Sequence, residues 1–148
     1  MIEIYLNLNG NAREAVNYYA EVFEAPAPYI MNTADMPGEE QAQMPPGAEN
    51  MVIYANVKTF AGDIMLSDRM PGESPVTPND SMWINLSHKD HALLRRSFER
   101  LAKDGQVTMQ LEPTFFSPLY GQVRDKFGFS WMIMDPGEMK DIEHSPTV

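Results

Sequence analysis

The sequence predicts an α+β protein built from two tandem β-α-β-β-β modules, and three observations carry that prediction. Short stretches alternate apolar and polar residues with the period of a strand. Two longer stretches place their apolar residues at helical spacing instead. The order strand, helix, strand, strand, strand occurs twice, an internal repeat with a unit of roughly 80 residues. The first module covers about residues 1–69, a linker covers 70–80, the second module covers about 81–135 and a tail covers 136–148 of the 148-residue chain.

In the first module, I-E-I-Y-L-N-L-N alternates Ile2, Ile4, Leu6 and Leu8 with polar partners and reads as a strand. Asn11 followed by Glu14 has the spacing of a helix start. Ala12, Ala15, Tyr19, Val22 and Phe23 then recur on one face to about Glu24. Strands are expected at Tyr29 to Thr33, Met51 to Val57 and Asp63 to Asp68, separated by proline- and glycine-bearing loops. The longest of these, residues 35–50, is acidic and reads as a solvated insertion or a lid.

The linker M-P-G-E-S-P-V-T-P-N-D leads into S-M-W-I-N-L-S, the first strand of the second module. A helix is expected from about Asp90 to Asp104, with Leu94, Phe98 and Leu101 as its apolar stripe and Gly105 as its stop. Strands follow near Val107 to Leu111, Tyr120 to Arg124 and Ser130 to Met134. Between the last two lies a tight D-K-F-G turn.

Each sheet must cover its helix with one apolar face, which fixes the direction of every strand residue. Leu6, Leu8, Ile64, Leu66, Met82, Ile84, Leu86, Trp131 and Ile133 are expected beneath the helices. The opposite, concave face then carries Glu3, Tyr5, Asn7, Tyr54, Asn56, Asp63, Met65, Ser67, Trp83, Asn85, Gln122, Arg124, Ser130 and Met132. Amides and aromatics in that mixture suit a pocket for a small molecule.

Composition narrows the partners. A formal charge of −10, with no lysine or arginine run, argues against nucleic acid. No apolar run is long enough to span a bilayer, and M-I-E-I-Y lacks the basic start and apolar block of a secretion signal. The expectation is a cytoplasmic protein with no membrane partner. The absence of cysteine removes disulfides, thiolate metal sites and cysteine nucleophiles together.

On G-N-A-R-E-A-V-N-Y-Y at 10–19, A-N-V-K at 55–58, D-I-M-L-S-D at 63–68, G-Q-V-T-M-Q-L-E-P-T-F-F at 105–116 and D-K-F-G-F-S-W-M-I at 125–133, the chain resembles the vicinal oxygen chelate superfamily. This is the glyoxalase, bleomycin-resistance and extradiol-dioxygenase fold, and within it the chain is most similar to the PhnB-like branch. The resemblance implies a homodimer with cups formed between modules. It also implies a divalent-metal site on four strands in the metal-dependent members. Those four positions fall here on Glu3 (or Ile4), Met65 (or Leu66), Trp83 and Met132. Thioether and indole are poor donors to hard cations, so no metal cofactor is expected. Some relatives of the branch are called demethylubiquinone methyltransferase-like, but no glycine-rich loop follows the first strand here to cradle S-adenosylmethionine.

The function expected is therefore binding of a small polar or anionic molecule in a metal-free cup by Tyr5, Asn7, Tyr54, Asn56, Met65, Trp83, Asn85, Phe115, Arg124 and Met132. Arg124 offers a planar fork for a carboxylate, phosphate or phosphonate. The alternative is a lyase, isomerase or dioxygenase-like enzyme acting on a small oxygenated or phosphonate-like substrate, with Glu3 as a desolvated base and Arg124 as anion anchor. His88 and His91 are expected to be solvated residues at a helix start rather than a metal pair, and His144 to be a solvated tail residue.

Overall fold

A computed structural model describes residues 1–138 and divides the chain into two compact units, Met1–Pro78 and the part from Asn79 onward. The first unit runs β1 (Ile4–Leu8), α1 (Ala12–Val22), β2 (Tyr29–Asn32), a 3-10 turn (Thr33–Asp35), α2 (Gly38–Ala42), β3 (Val52–Thr59) and β4 (Gly62–Asp68). The second runs β5 (Ile84–Ser87), α3 (His91–Asp104), β6 (Gln106–Glu112), β7 (Tyr120–Arg124) and β8 (Ser130–Met134).

Each unit folds its four strands into one mixed sheet with the same topology, β1-β4-β3-β2 and β5-β8-β7-β6. The first and last strands of each unit are parallel neighbours, and the rest are antiparallel. The ladder shifts register in the β2–β3 pair, between Met31 and Asn32, and at two points along the β6–β7 pair. Of the expected apolar face, Leu6, Leu8, Ile64, Leu66, Leu86, Trp131 and Ile133 are buried. Ala12, Ala15, Val16, Tyr19 and Val22 of α1 are buried in the first unit, and Leu94, Phe98 and Leu101 of α3 in the second. At about 25 cal/mol for each Å² of apolar surface removed from water, these layers dominate the stability of each unit.

Two expectations need correction. Met82 is 82 % exposed, because β5 begins only at Ile84; the alternation of S-M-W-I-N-L-S overstated the strand by three residues. Asn11 makes no side-chain cap on α1. The first helical N–H, that of Ala12, donates instead to Oδ1 of the buried Asp68, 56 residues away, while Oδ2 accepts from Val52 N. The loop at 35–50 is largely exposed; it contains the short α2, buries Ala48, and is closed at its base by Thr33, whose N–H and hydroxyl both donate to Met51 O. In the linker, Val76 is held by Asn9, whose side chain donates to Val76 O at 2.8 Å and accepts from Val76 N at 2.7 Å.

Two motifs acquire structural explanations. In D-K-F-G-F-S-W, the buried Asp125 accepts from the N–H groups of Phe127 and Phe129 through Oδ1 and from the Trp131 indole through Oδ2. One carboxylate thus closes the turn and fixes the largest core side chain. Gly105 ends α3 where a β-carbon would stand 2.2 Å from the Arg124 carbonyl oxygen and 2.7 Å from that of Leu101.

Candidate functional site

On β3, Ala55 and Val57 are buried on the α1 side, so Tyr54, Asn56 and Lys58 stand on the helix-free face. Register places Asn56 opposite Met65 on one side and Tyr29 on the other, and Met65 opposite Tyr5. Tyr5, Met65, Asn56 and Tyr29 therefore form one row across the whole sheet. The rings of Tyr29 and Tyr54 lie 6.1 Å apart at 52°. The Asn56 amide donates to Tyr54 Oη at 3.4 Å and to Asp63 Oδ2 at 3.3 Å, and Lys58 stands directly across from Asp63. Pro26, Ala27, Tyr29, Tyr54, Asn56 and Lys58 line a half-open hollow of about 310 Å³. Asn7 is exposed opposite the buried Ser67.

The second unit repeats the plan. Asn85, Met132, Gln122 and Met109 form the corresponding row. Gln122 donates to Tyr120 Oη at 2.9 Å, and Arg124 stands across from Ser130. Arg124 Nη2 donates to Asp80 Oδ1, which also accepts from Ser130 Oγ at 3.1 Å. Trp83, on the segment before β5, donates its indole N–H to the Asp80 carbonyl at 3.2 Å. Arg124 Nε is buried and meets no hydrogen-bond partner among the described residues.

Side by side, the third strands read Y54-A-N-V-K58 and Y120-G-Q-V-R124. Tyrosine, amide and cation follow at intervals of two, so all three project from one face, and in both units the amide donates to the tyrosine oxygen. This stripe was open to sequence reading, because the two pentapeptides share spacing and chemistry, yet Lys58, Tyr29 and Tyr120 were missed. Asp80 gave no signal; it sits in a segment whose prolines and glycine mark it as linker.

The four positions implied for a metal do not form a donor set for a hard cation. Met65 and Met132 bring thioethers and Trp83 an indole already donating to Asp80, while Glu3 is exposed, one residue before β1. Exposure also denies Glu3 the burial that the base role assumed. Asp68 has both oxygens committed to backbone N–H groups. Among the described residues, no three His, Asp or Glu side chains gather as a metal site would require. His88 and His91 separate in role. His88 Nδ1 accepts from Asp90 N, whereas His91 Nε2 is 2.7 Å from Asp135 Oδ2 and thus anchored rather than merely solvated. His144 lies outside the described residues.

Asp135 itself is buried and also takes Gly137 N–H at 2.8 Å and the Lys89 ammonium at 3.2 Å. The His91 contact first, then the Gly137 N–H and Lys89, pull its carboxyl from 3.8 to about 2. Phe115 is fully exposed on the loop after β6. It stands edge-on to Phe116, whose ring meets Tyr120, and borders a separate hollow of about 390 Å³ that Thr114, Ser117, Pro118 and Pro136 help to line.

Residues 1–134 match the family described as 3-demethylubiquinone-9 3-methyltransferase. Protein YjdN of Escherichia coli K12 is 30 % identical over 135 residues, covering 87 % of this chain and 90 % of that one. Protein PA1353 of Pseudomonas aeruginosa is 28 % identical with a TM-score of 0.75, covering 91 % and 98 % of the two chains. A Bacillus cereus protein described as a putative 3-demethylubiquinone-9 3-methyltransferase, PhnB protein, is 26 % identical with a TM-score of 0.65, covering 90 % and 97 %. At 16 % identity, a glyoxylase/bleomycin resistance protein/dioxygenase domain from Frankia shares the fold, with a TM-score of 0.59 over 91 % and 95 % of the chains.

Proposed function

The chain belongs to the family described as 3-demethylubiquinone-9 3-methyltransferase, a PhnB-like branch of the vicinal oxygen chelate superfamily, and from that premise we propose that it binds a small anionic molecule with a planar group on the helix-free face of its first sheet. The observation that carries this reading is the hollow lined by Tyr29, Tyr54, Asn56 and Lys58. Two tilted tyrosine rings offer apolar walls, the amide offers a donor and an acceptor, and the ammonium offers charge for a carboxylate or phosphate. The volume falls at the small end of ligand pockets, which start at about 300 Å³.

The methyl transfer in the family's name has less support. The loop between β1 and α1 holds the single glycine Gly10, and each sheet is mixed and four-stranded, without a strand followed by a glycine-rich cradle. The thioethers of Met65 and Met132 and the indole of Trp83 are poor donors for a metal-assisted step.

A thermal-shift screen of small carboxylates, aromatic acids and phosphate esters, followed by calorimetry, tests the proposal. Replacing Lys58 by Met should weaken an anionic ligand about 10- to 100-fold, the equivalent of one charge-assisted hydrogen bond. Tyr54→Ala should weaken it too. A ligand bound equally well by both variants would refute the assignment, and turnover of a bound ligand would replace binding by catalysis.

A further inference from the structure

We infer that the second unit holds an anion site of its own, formed by Arg124 and Ser130 and kept closed by Asp80, whose carboxylate stands where a ligand's carboxylate or phosphate oxygens would. The inference rests on reading the helix-free faces as ligand surfaces.

Three observations support it. Arg124 occupies the position in its strand that Lys58 occupies in the first unit, two residues beyond the amide and four beyond the tyrosine. Its guanidinium is only half used: Nη2 donates to Asp80, but Nε is buried without an acceptor among the described residues. A buried donor on a charged group is costly to leave unpaired, and the Nε–Nη2 edge of arginine fits the two oxygens of a carboxylate or phosphate side by side. Asp80 supplies one oxygen to this edge, so the internal occupant satisfies the site less fully than a bidentate anion would.

The third observation is where Asp80 sits. It is outside any strand, in the segment leading to β5, and its side chain is 59 % exposed. Turning it into solvent breaks its bonds to Arg124 and Ser130 and none within the sheet. Ser130, itself buried, keeps its hydroxyl aimed at the vacated position and becomes a donor to the incoming anion. The Trp83 indole, resting on the Asp80 carbonyl, reports the change.

The test uses the full chain as wild type, Asp80→Asn, Asp80→Asn with Arg124→Met, and Asp80→Asn with Lys58→Met. Each is titrated with inorganic phosphate and separately with acetate at constant ionic strength. The readouts are tryptophan fluorescence and the arginine Nε–H resonances. Asp80→Asn should bind phosphate at least tenfold more tightly than wild type, with the Arg124 Nε–H resonance moving, and the added Arg124→Met should abolish the gain. Lys58→Met should leave it intact, which separates this site from the hollow of the first unit. Acetate binding as well as phosphate would assign the site to carboxylates in general; phosphate alone would narrow it to phosphate groups. No gain in Asp80→Asn, or a gain that survives Arg124→Met, would overturn the inference. Should Asp80→Asn fail to fold by circular dichroism, an Arg124 Nε–H resonance that stays fixed in wild type at saturating phosphate overturns it equally.

Discussion

Replacing Asp68 tests how the first unit is held together. Its side chain is buried, and its two oxygens accept from Ala12 N at 2.8 Å and Val52 N at 3.0 Å. It thereby joins the start of α1, the start of β3 and the end of β4. In Asp68→Ala both N–H groups lose their acceptor inside the protein, at about 1–3 kcal/mol each. The negative charge at the helix N-terminus is lost as well, worth about 0.3–1 kcal/mol. The expected destabilisation is about 3–5 kcal/mol, toward the large end of single-residue effects. Asp68→Asn retains one acceptor but turns an NH₂ group toward the other donor, so about half of that loss is expected. Urea unfolding followed by far-ultraviolet circular dichroism measures both, and thermal melting should fall by about 2–4 °C for each kcal/mol in a chain of this size. An Asp68→Asn variant within about 0.5 kcal/mol of wild type would refute the claim that this carboxylate caps the helix.

Two further outcomes follow from the second unit. Because the folded-state pKa of Asp135 lies near 2 against an ordinary 3.8, its contribution is fully present above about pH 4 and disappears as pH falls toward 2. His91→Ala should raise that pKa and shift the loss to higher pH, as followed by NMR titration of the carboxyl carbon; an unmoved titration would remove His91 as the chief cause. Gly105→Ala should cost about 1–3 kcal/mol in urea unfolding, because the new methyl would meet the Arg124 and Leu101 carbonyls and the backbone would have to yield. A neutral result would show that the α3–β6 corner relaxes freely.

Where the fold was legible in the sequence, the reason was periodicity. Leu6 and Leu8 or Trp131 and Ile133 reveal their face because a sheet covered by a helix imposes period two. The duplicated order of elements was readable for the same reason. What escaped was set by distant partners. Asn11 has the spacing of a cap, but a carboxylate 56 residues further along the chain, on the strand beside β1, supplies the acceptor, and local spacing carries no trace of that. Met82 and Trp83 continue an alternating pattern although the ladder with β8 begins only at Ile84, opposite Trp131. At the candidate site, Tyr54, Asn56 and Arg124 followed from parity alone. The grip of Asp80 on Arg124 joins residues 44 apart in the chain and becomes visible only in three dimensions.

The register shifts bear on how the molecule behaves at high concentration. They fall in the β2–β3 and β6–β7 pairs: in the first the extra residue, Ile53, lies on the inner strand β3, whereas in the second the extra residues lie on β6, one of the two edge strands of its sheet. An outer strand with an unbroken ladder presents evenly spaced donors and acceptors on which another chain can be templated. A bulge interrupts that spacing and increases the local twist. Strand β6 is thus a poor seed for edge-to-edge growth into fibrils or amorphous aggregates, a protection written into the backbone rather than into the charges that coat it.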